Sequence, residues 1–580
     1  MQFRTGPTDS TTASTESPGA RFKKASNSAS RECLLYDRRR LGGLSRMVYC
    51  TLVPAPSHDA VMLEESWSGL TDRICATGKT GNEVDGEIVN RRDFLKRTGI
   101  LALSVYGCAP ALTRRTGIYV NDVHSQLNGT RVSELARPES VTVLRDLVRR
   151  AGQHGDAISV AGGRHAMGTQ QFATDSINVD MRGLRQVLSF DRERGLLEVE
   201  AGIEWPELIS HYLEVQKDSA HPWGIAQKQT GADRFTVGGT LAANAHGRVL
   251  TRKPFVADVE SFVLMDANGE LRTCSRTQNP ELFRLVAGGY GMFGIVTSAT
   301  IRMVPRRKVG RTVEVINAED LMAGFQHRIG EGYEWGDFQF STDDRSDDFL
   351  RRGVLSCYRA VDPATPMPET QKRLADDDWR QLLYLAHADK AEGFRRYSSY
   401  YLTTNGQLYW SDTHQMATYL ENYHGPLDQQ LHAREHGTEM ITEIDVPRAR
   451  FTDFLAEVRE DFRRHNVNLI YGTVRLIEKD DEGFLTWAKQ PYVCTIFNLH
   501  TTHTPEGLRH SADSFRRLID MAARRDGSYY LTYHRWADRA RVESCYPQFA
   551  EFLKLKRKYD PKARFQSDWW RHYTKLFGMA

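Results

Sequence analysis

Three glycine-rich runs punctuate residues 158–305, and each sits where regular structure would otherwise continue. The first, SVAGGRHAMGTQQF at 159–172, follows the β-prone stretch from Ile158 to Val160 and sets His165 directly behind Gly162 and Gly163. Glycine tolerates positive φ and lets another group approach the backbone. The run is therefore either an ordinary tight turn or the wall of a site for a bulky planar ligand. The second run, TVGGTLAANAHG at 236–247, reads as a Gly/Ala-rich turn. The third, GGYGMFGIVTSATIRMVP at 288–305, places Gly289, Gly291 and Gly294 at the spacing of a dinucleotide fingerprint. That fingerprint needs a strand before it and a helix after it. Here helix-like PELFRLVA precedes and β-branched IVTSATIRMV follows, so the Rossmann reading is rejected.

Around these runs, helical and strand periods alternate. Val141, Leu144, Leu147, Val148 and Ala151 recur at helix spacing after Pro138. Strands are expected at Ala157–Val160 and Ile177–Met181, and Pro206 opens a helix after Gly202. The fold class is α+β. A length of 580 residues suggests two or three domains plus extensions. Lys+Arg 77 nearly balances Asp+Glu 74, which gives no bulk argument for nucleic acid or an anionic membrane. The eight cysteines include no C-x-x-C pair, arguing against a zinc site and against a disulfide scaffold, and no metal ligands are assigned.

Residues 1–89 are Ser/Thr-rich at the start, have little to bury, and are expected to be disordered. Residues 90–112 resemble a twin-arginine export signal: Arg91-Arg92-Asp93-Phe94-Leu95-Lys96, then a short apolar run from Ile100 to Tyr106. The run is too short to span a bilayer, which takes ~20 residues. Cleavage after Ala109-Pro110-Ala111 and a lipid anchor at Cys108 are the two endings this segment offers. The expected location is the periplasm or cell envelope of a bacterium, reached by twin-arginine machinery, either free after cleavage or tethered to the membrane at Cys108.

Taken in order, the blocks GGRHAMG, INVDMRGL, LLEVEAGIEWPEL, TVGGTLAANAHG, DVESFVLMDANGELRTCS and NPELFRLVAGGYGMFGIVTSATIRMVP resemble the FAD-binding domain of the vanillyl-alcohol oxidase superfamily, the PCMH-type fold. The resemblance implies a two-subdomain FAD-binding domain over 127–306. After it come a substrate or cap domain over 307–540, with a mixed or antiparallel sheet flanked by helices, and a segment 541–580 returning to the FAD domain. It implies that FAD lies against Gly162, Gly163, Arg164, His165, Ala166, Met167 and Gly168 of the first run. The second run would contribute Gly238, Gly239, Ala243, Ala245, His246 and Gly247, and the third Gly294 and Ile295. His165 falls where the superfamily bonds a histidine to the flavin ring, with Ala166 in place of the usual serine. A covalent link of FAD through His165 is therefore expected.

The second half resembles the aldonolactone and alditol oxidase subgroup in TEMITEIDVPRARFTDFLAEVRE, in NLIYGTVRLIEKDDEGFL and in the closing CYPQFAEFLKLKRKYDPKARFQSDWW. Strand alternation groups Glu439, Ile441, Glu443 and Asp445 on one face, then Tyr471, Thr473 and Arg475, then Asn498, His500 and Thr502. Arg475, His500, His534 and Glu443 are the catalytic candidates: a histidine near the working pH suits removal of a hydroxyl proton, and an arginine suits developing negative charge. Thr473 replaces the glutamate of the subgroup's E-x-R pair, so a particular sugar does not follow. The resemblance implies a D-arabinono-1,4-lactone oxidase-like enzyme that oxidises a CH–OH group of a small polar substrate (a polyol, sugar or aldonolactone). Hydride would pass to FAD, which O2 or an envelope electron acceptor re-oxidises. The alternatives are the same fold acting on a lipid-linked sugar or amine, and a non-catalytic flavin-binding protein.

Overall fold

The computed structural model describes residues 117–417 and 420–579. These lie in one unit, Pro110–Ala580. The Ser/Thr-rich extension, the export-type segment and Cys108 lie outside the described residues. Among the described residues, no helix is long and apolar enough to cross a membrane. Helices and sheets are mixed, as an α+β class requires.

The helix Val141–His154 forms where the period placed it. The Ser140 hydroxyl accepts the Val143 N–H at its start, and Gly155 ends it at φ 79°. Its buried face, Leu144, Leu147, Val148 and Ala151, packs on a small parallel sheet. In that sheet Ile177–Asp180 is central, flanked by Glu134–Ala136 and Ile158–Ala161. A five-stranded antiparallel sheet follows, in the order Leu271–Ser275, Val259–Met265, Ile295–Arg302, Leu196–Glu200 and Val187–Asp191. Met265 and Ile295 of this sheet join the core under the first helix, which holds the two sheets together. The third glycine run does have helix Pro280–Val286 before it and strand Ile295–Arg302 after it.

From Lys308 the chain builds an eight-stranded antiparallel sheet. The order is Leu408–Trp410, Lys308–Asn317, Arg352–Ala360, Tyr333–Phe340, Leu469–Ile477, Tyr492–Thr502, Gly437–Pro447, Ser528–Tyr529. Phe454 and Phe462 of helix Phe451–Arg464 meet Phe497 edge to face on one side of the sheet. Helices Asp376–Ala388 and Lys390–Thr403 stand over the other face across a cavity. One continuous apolar core runs from Leu197 through both sheets to Phe577.

The C-terminal stretch comes back to the first sheet. Ile158 donates its N–H to Arg564 and accepts that of Gln566 (2.7 and 2.8 Å). The Arg564 guanidinium donates to the Ala151 carbonyl at the end of the first helix (2.8 Å). Asp560 shapes this return by accepting the Arg564 and Phe565 N–H groups and pairing with the buried Lys556.

Two expectations change. The second glycine run is not a turn but the helix Val237–Ala243, capped by Thr236, whose hydroxyl accepts the Gly239 N–H (3.1 Å), and ended by Asn244 at φ 48°. His534 is not brought to a site. Its ring stacks on Phe515 (4.5 Å), packs against Trp536 (5.3 Å) and bonds the Thr442 hydroxyl (3.1 Å), on the side of the strand opposite Ile441 and Glu443. Burial, with Arg516 nearby, pushes its pKa down to about 3.

An unfolded imidazole titrates near ~6.5. Between that value and about 3 the unfolded chain binds a proton that His534 in the folded chain refuses. Its contribution is full above ~6.5 and falls as pH drops toward the folded value, by a few kcal/mol at most. Melting temperatures recorded from about pH 8 to about pH 4 are expected to fall more steeply in the wild type than in His534→Gln.

Candidate active site: two joined cavities

The first cavity, enclosing ≈ 1390 Å³ of space partly open to solvent, lies between the parallel sheet, the helix Val237–Ala243 and the third glycine run. Gly162, Gly163, Arg164, His165, Ala166 and Met167 form one wall; Gly238, Gly239, Ala243 and Ala245 form a second; Gly291, Gly294 and Ile295 form a third. All three glycine runs therefore meet at one cleft.

The reason for two of the glycines differs from the one the sequence suggests. A Cβ on Gly162 would stand 2.2 Å from the Thr236 hydroxyl, and one on Gly163 2.0 Å from the Arg234 carbonyl. What approaches the first turn closely is the segment leading into the second run. The left-handed residue of the turn is Arg164, at φ 60°.

His165 sits in the cavity wall. Its Nδ1 pairs with Nε2 of His124 (2.8 Å), and its Nε2 lies 3.0 Å from the Arg234 carbonyl. Burial and the neighbouring His124 hold its pKa well below the ordinary imidazole value, so it is neutral at pH 7. His124 is likewise lowered, to about 4, chiefly by burial.

Three assigned cofactor residues do not line this cavity. Gly168 lies beyond the turn, where the Gln170 side chain accepts its N–H (2.9 Å). His246 is buried behind the wall, with Nε2 on Glu443 (2.8 Å) and Nδ1 at the Gly247 carbonyl (3.1 Å). Gly247 packs against the Lys228 carbonyl, 2.7 Å from where a Cβ would be. The same pairing removes Glu443 from the catalytic candidates: its carboxylate is buried on His246 and reaches neither cavity.

The second cavity, ≈ 1610 Å³ and also part open, lies over the polar face of the eight-stranded sheet. The strand registers put Ile441, Asn498 and Tyr471 in one row, and Glu443, Ile496 and Thr473 in the next. Arg475 is in its wall, buried, donating to the Gln229 side chain (3.0 Å) with Nε unpaired. Gln339 Oε1 and Asn498 Oδ1 are also buried without a hydrogen-bond partner. Buried polar atoms left unpaired cost about 1–3 kcal/mol each, so this floor is built for a partner rich in hydroxyl groups. Trp379, Leu382, Leu383, Phe394 and Tyr397 form the opposite, apolar wall.

The two cavities join. His124, Gln229, Gly231, Ile441 and Tyr533 line both. The loop carrying Gln229 and Gly231 is held by Lys228, a fully buried ammonium on Asp233 (2.7 Å) and on the Gln229 and Gln415 carbonyls (2.7 and 3.1 Å). His500 does not line the cavity. It turns its Nδ1 toward Glu439 (3.7 Å) behind the wall. Sequence reasoning missed His124 and Gln229 as site residues, and placed Glu439 on the polar strand face without naming it a catalytic candidate. The only local sign of the first is the polar run NDVHSQLN, where Asp122 accepts the N–H groups of His124 and Ser125 (3.0 and 2.6 Å).

Comparison with known proteins agrees with this geometry. A family model described as "FAD binding domain" matches residues 132–275, the stretch that supplies two of the three cavity walls. L-gulono-1,4-lactone dehydrogenase of Mycobacterium tuberculosis is 23% identical over 449 residues, 76% of this chain and 95% of that protein. D-arabinono-1,4-lactone oxidase of Yarrowia lipolytica is 29% identical over 194 residues, 33% of this chain and 36% of that protein. Cytokinin dehydrogenase 3 of Oryza sativa subsp. japonica is 30% identical over 170 residues, 28% of this chain and 31% of that protein. The glycine-walled cleft suits FAD: its walls are backbone and small side chains, and a neutral histidine stands in them. Residues 132–275 thus carry an FAD-binding domain, and the chain as a whole is similar to aldonolactone dehydrogenases and oxidases.

Proposed function

We propose that the chain oxidises a CH–OH group of an aldonolactone, sugar or polyol, with FAD in the first cavity and the substrate in the second. The observation that carries this reading is the junction: five residues line both cavities, so a substrate on the strand face abuts the flavin cleft. Bound FAD supplies the hydride acceptor. Arg475, held by Gln229, holds the substrate oxygen and stabilises the charge that builds on it. Gln339 and Asn498 accept hydrogen bonds from substrate hydroxyls. His124 is the imidazole in the wall of both cavities, and it takes the hydroxyl proton in place of His500 or His534.

A finer reading concerns attachment. His165 would bond to the methyl carbon of the flavin ring: the imidazole N–H and one methyl C–H break, the flavin keeps the electron pair and is reduced, and His124, 2.8 Å from His165 Nδ1, would take the imidazole proton. O2 or an envelope acceptor re-oxidises the flavin. Residues 91–106 direct export by the twin-arginine route, with Cys108 as tether. The apolar wall from Trp379 to Tyr397 favours a second substrate class, a lipid-linked sugar or an amine with an apolar portion.

Acid-denatured protein is expected to keep its yellow colour, and His165→Ala to release it to the supernatant. Colour released from the wild type would leave FAD bound but not bonded. Under anaerobic conditions an aldonolactone or polyol is expected to bleach the flavin. Arg475→Ala is expected to slow that bleaching by about 10²–10³-fold; an unchanged rate would favour a non-catalytic flavoprotein. With His124 as the base, the acid limb of the bleaching rate is expected near pH 4, because burial lowers this imidazole. A limb near ~6.5 would assign an unperturbed histidine instead.

A further inference from the structure

Behind the floor of the second cavity, three elements distant in sequence bring nitrogen and oxygen donors to one point. His387 comes from helix Asp376–Ala388, Glu439 from strand Gly437–Pro447 and His500 from strand Tyr492–Thr502. His387 Nε2 is 3.2 Å, and His500 Nδ1 3.7 Å, from the same carboxylate oxygen, Glu439 Oε1. All three donor atoms lie within 4.8 Å of one another. We propose that His387, Glu439 and His500 bind a divalent first-row transition cation of the zinc class.

An ordinary ion pair does not account for this arrangement. A charged N–H on a carboxylate normally lies at ~2.7–2.9 Å and points at the oxygen. Here His387 Nε2, Glu439 Oε1 and His500 Nδ1 are each buried, and none makes a hydrogen bond. Two donors each ~2.1 Å from a tetrahedral metal stand roughly 3.4 Å apart, close to the 3.2 and 3.7 Å that separate the two imidazole nitrogens from Glu439 Oε1. The two rings meet edge to face, 4.9 Å between centroids, so stacking does not explain their approach.

The surroundings fit the same reading. The second carboxylate oxygen, Oε2, accepts the Tyr423 hydroxyl and has His424 Nε2 at 3.0 Å, which fixes the carboxylate plane. Outer partners of this kind orient metal ligands. The seat of the His500 ring exists only because residue 437 is glycine: a Cβ there would stand 2.2 Å from His500 Cε1. Two imidazoles and one carboxylate suit zinc, nickel, copper or iron(II), and disfavour magnesium and calcium. Glu439 and Tyr423 line the second cavity, so the cation stands in its wall, where a substrate oxygen completes the coordination. The proposal is independent of the redox reading.

The full-length protein with its flavin, carried on a tag without histidine, would be stripped with dipicolinate and titrated with Zn2+ by calorimetry. About one equivalent is expected to bind, with affinity falling at least ~100-fold in His387→Ala and in Glu439→Gln while flavin absorbance is retained. X-ray absorption of the zinc-loaded wild type is expected to show two imidazoles and oxygen. That measurement decides the matter even if a variant fails to fold. No uptake by the wild type, unchanged uptake in both variants, or a zinc shell without imidazole would each overturn the proposal.

Discussion

The contact on which the rest of the site depends is that between the first glycine run and the segment 234–236. Gly162 and Gly163 lack the Cβ atoms that would strike the Thr236 hydroxyl and the Arg234 carbonyl. The turn therefore lies directly on the entrance to helix Val237–Ala243, and His165 is held against Phe235, 4.2 Å between ring centroids. Met167 donates its N–H to Thr532 (3.0 Å), and the Gln170 amide donates to Leu531 (2.7 Å), so the same turn is also tied to the loop ending in Tyr533. One short segment thus positions the flavin cleft against both its own domain and the eight-stranded sheet.

The eight-stranded sheet is used asymmetrically. Its buried face is an aromatic layer around Phe454, Phe462 and Phe497. Its other face carries Arg475, Asn498 and Glu439, which an apolar helix pair covers without filling. Buried Lys228 fixes the loop that presents Gln229 to Arg475, and removing one partner of such a pair costs about 3–5 kcal/mol. Rigidity at this loop keeps the guanidinium at the junction of the cavities.

The polar groups around that junction are separated by function. Glu443 is spent on His246 inside the core, while Glu439, two pleats along, collects three imidazoles at the cavity wall. Two carboxylates on one strand face thereby serve one structural pair and one donor cluster.

What the sequence determined by itself is local. The helix Val141–His154 with its Ser140 cap and Gly155 stop follows from a 3.6-residue period and end chemistry. The shared faces of 439–445, 471–475 and 498–502 follow from the two-residue pleat. The three glycine runs announced one cleft, though Asn244 turns the second into a helix with a left-handed stop. The tertiary structure alone decided which groups meet. His534 follows no strand period, so its burial against Phe515 depends on how helix Pro505–Ala523 packs. His246 finds Glu443, and His387, His424 and His500 find Glu439, across long stretches of chain with no shared spacing. Periodicity fixes the side on which a residue lies; the partner it meets there is set by non-local packing.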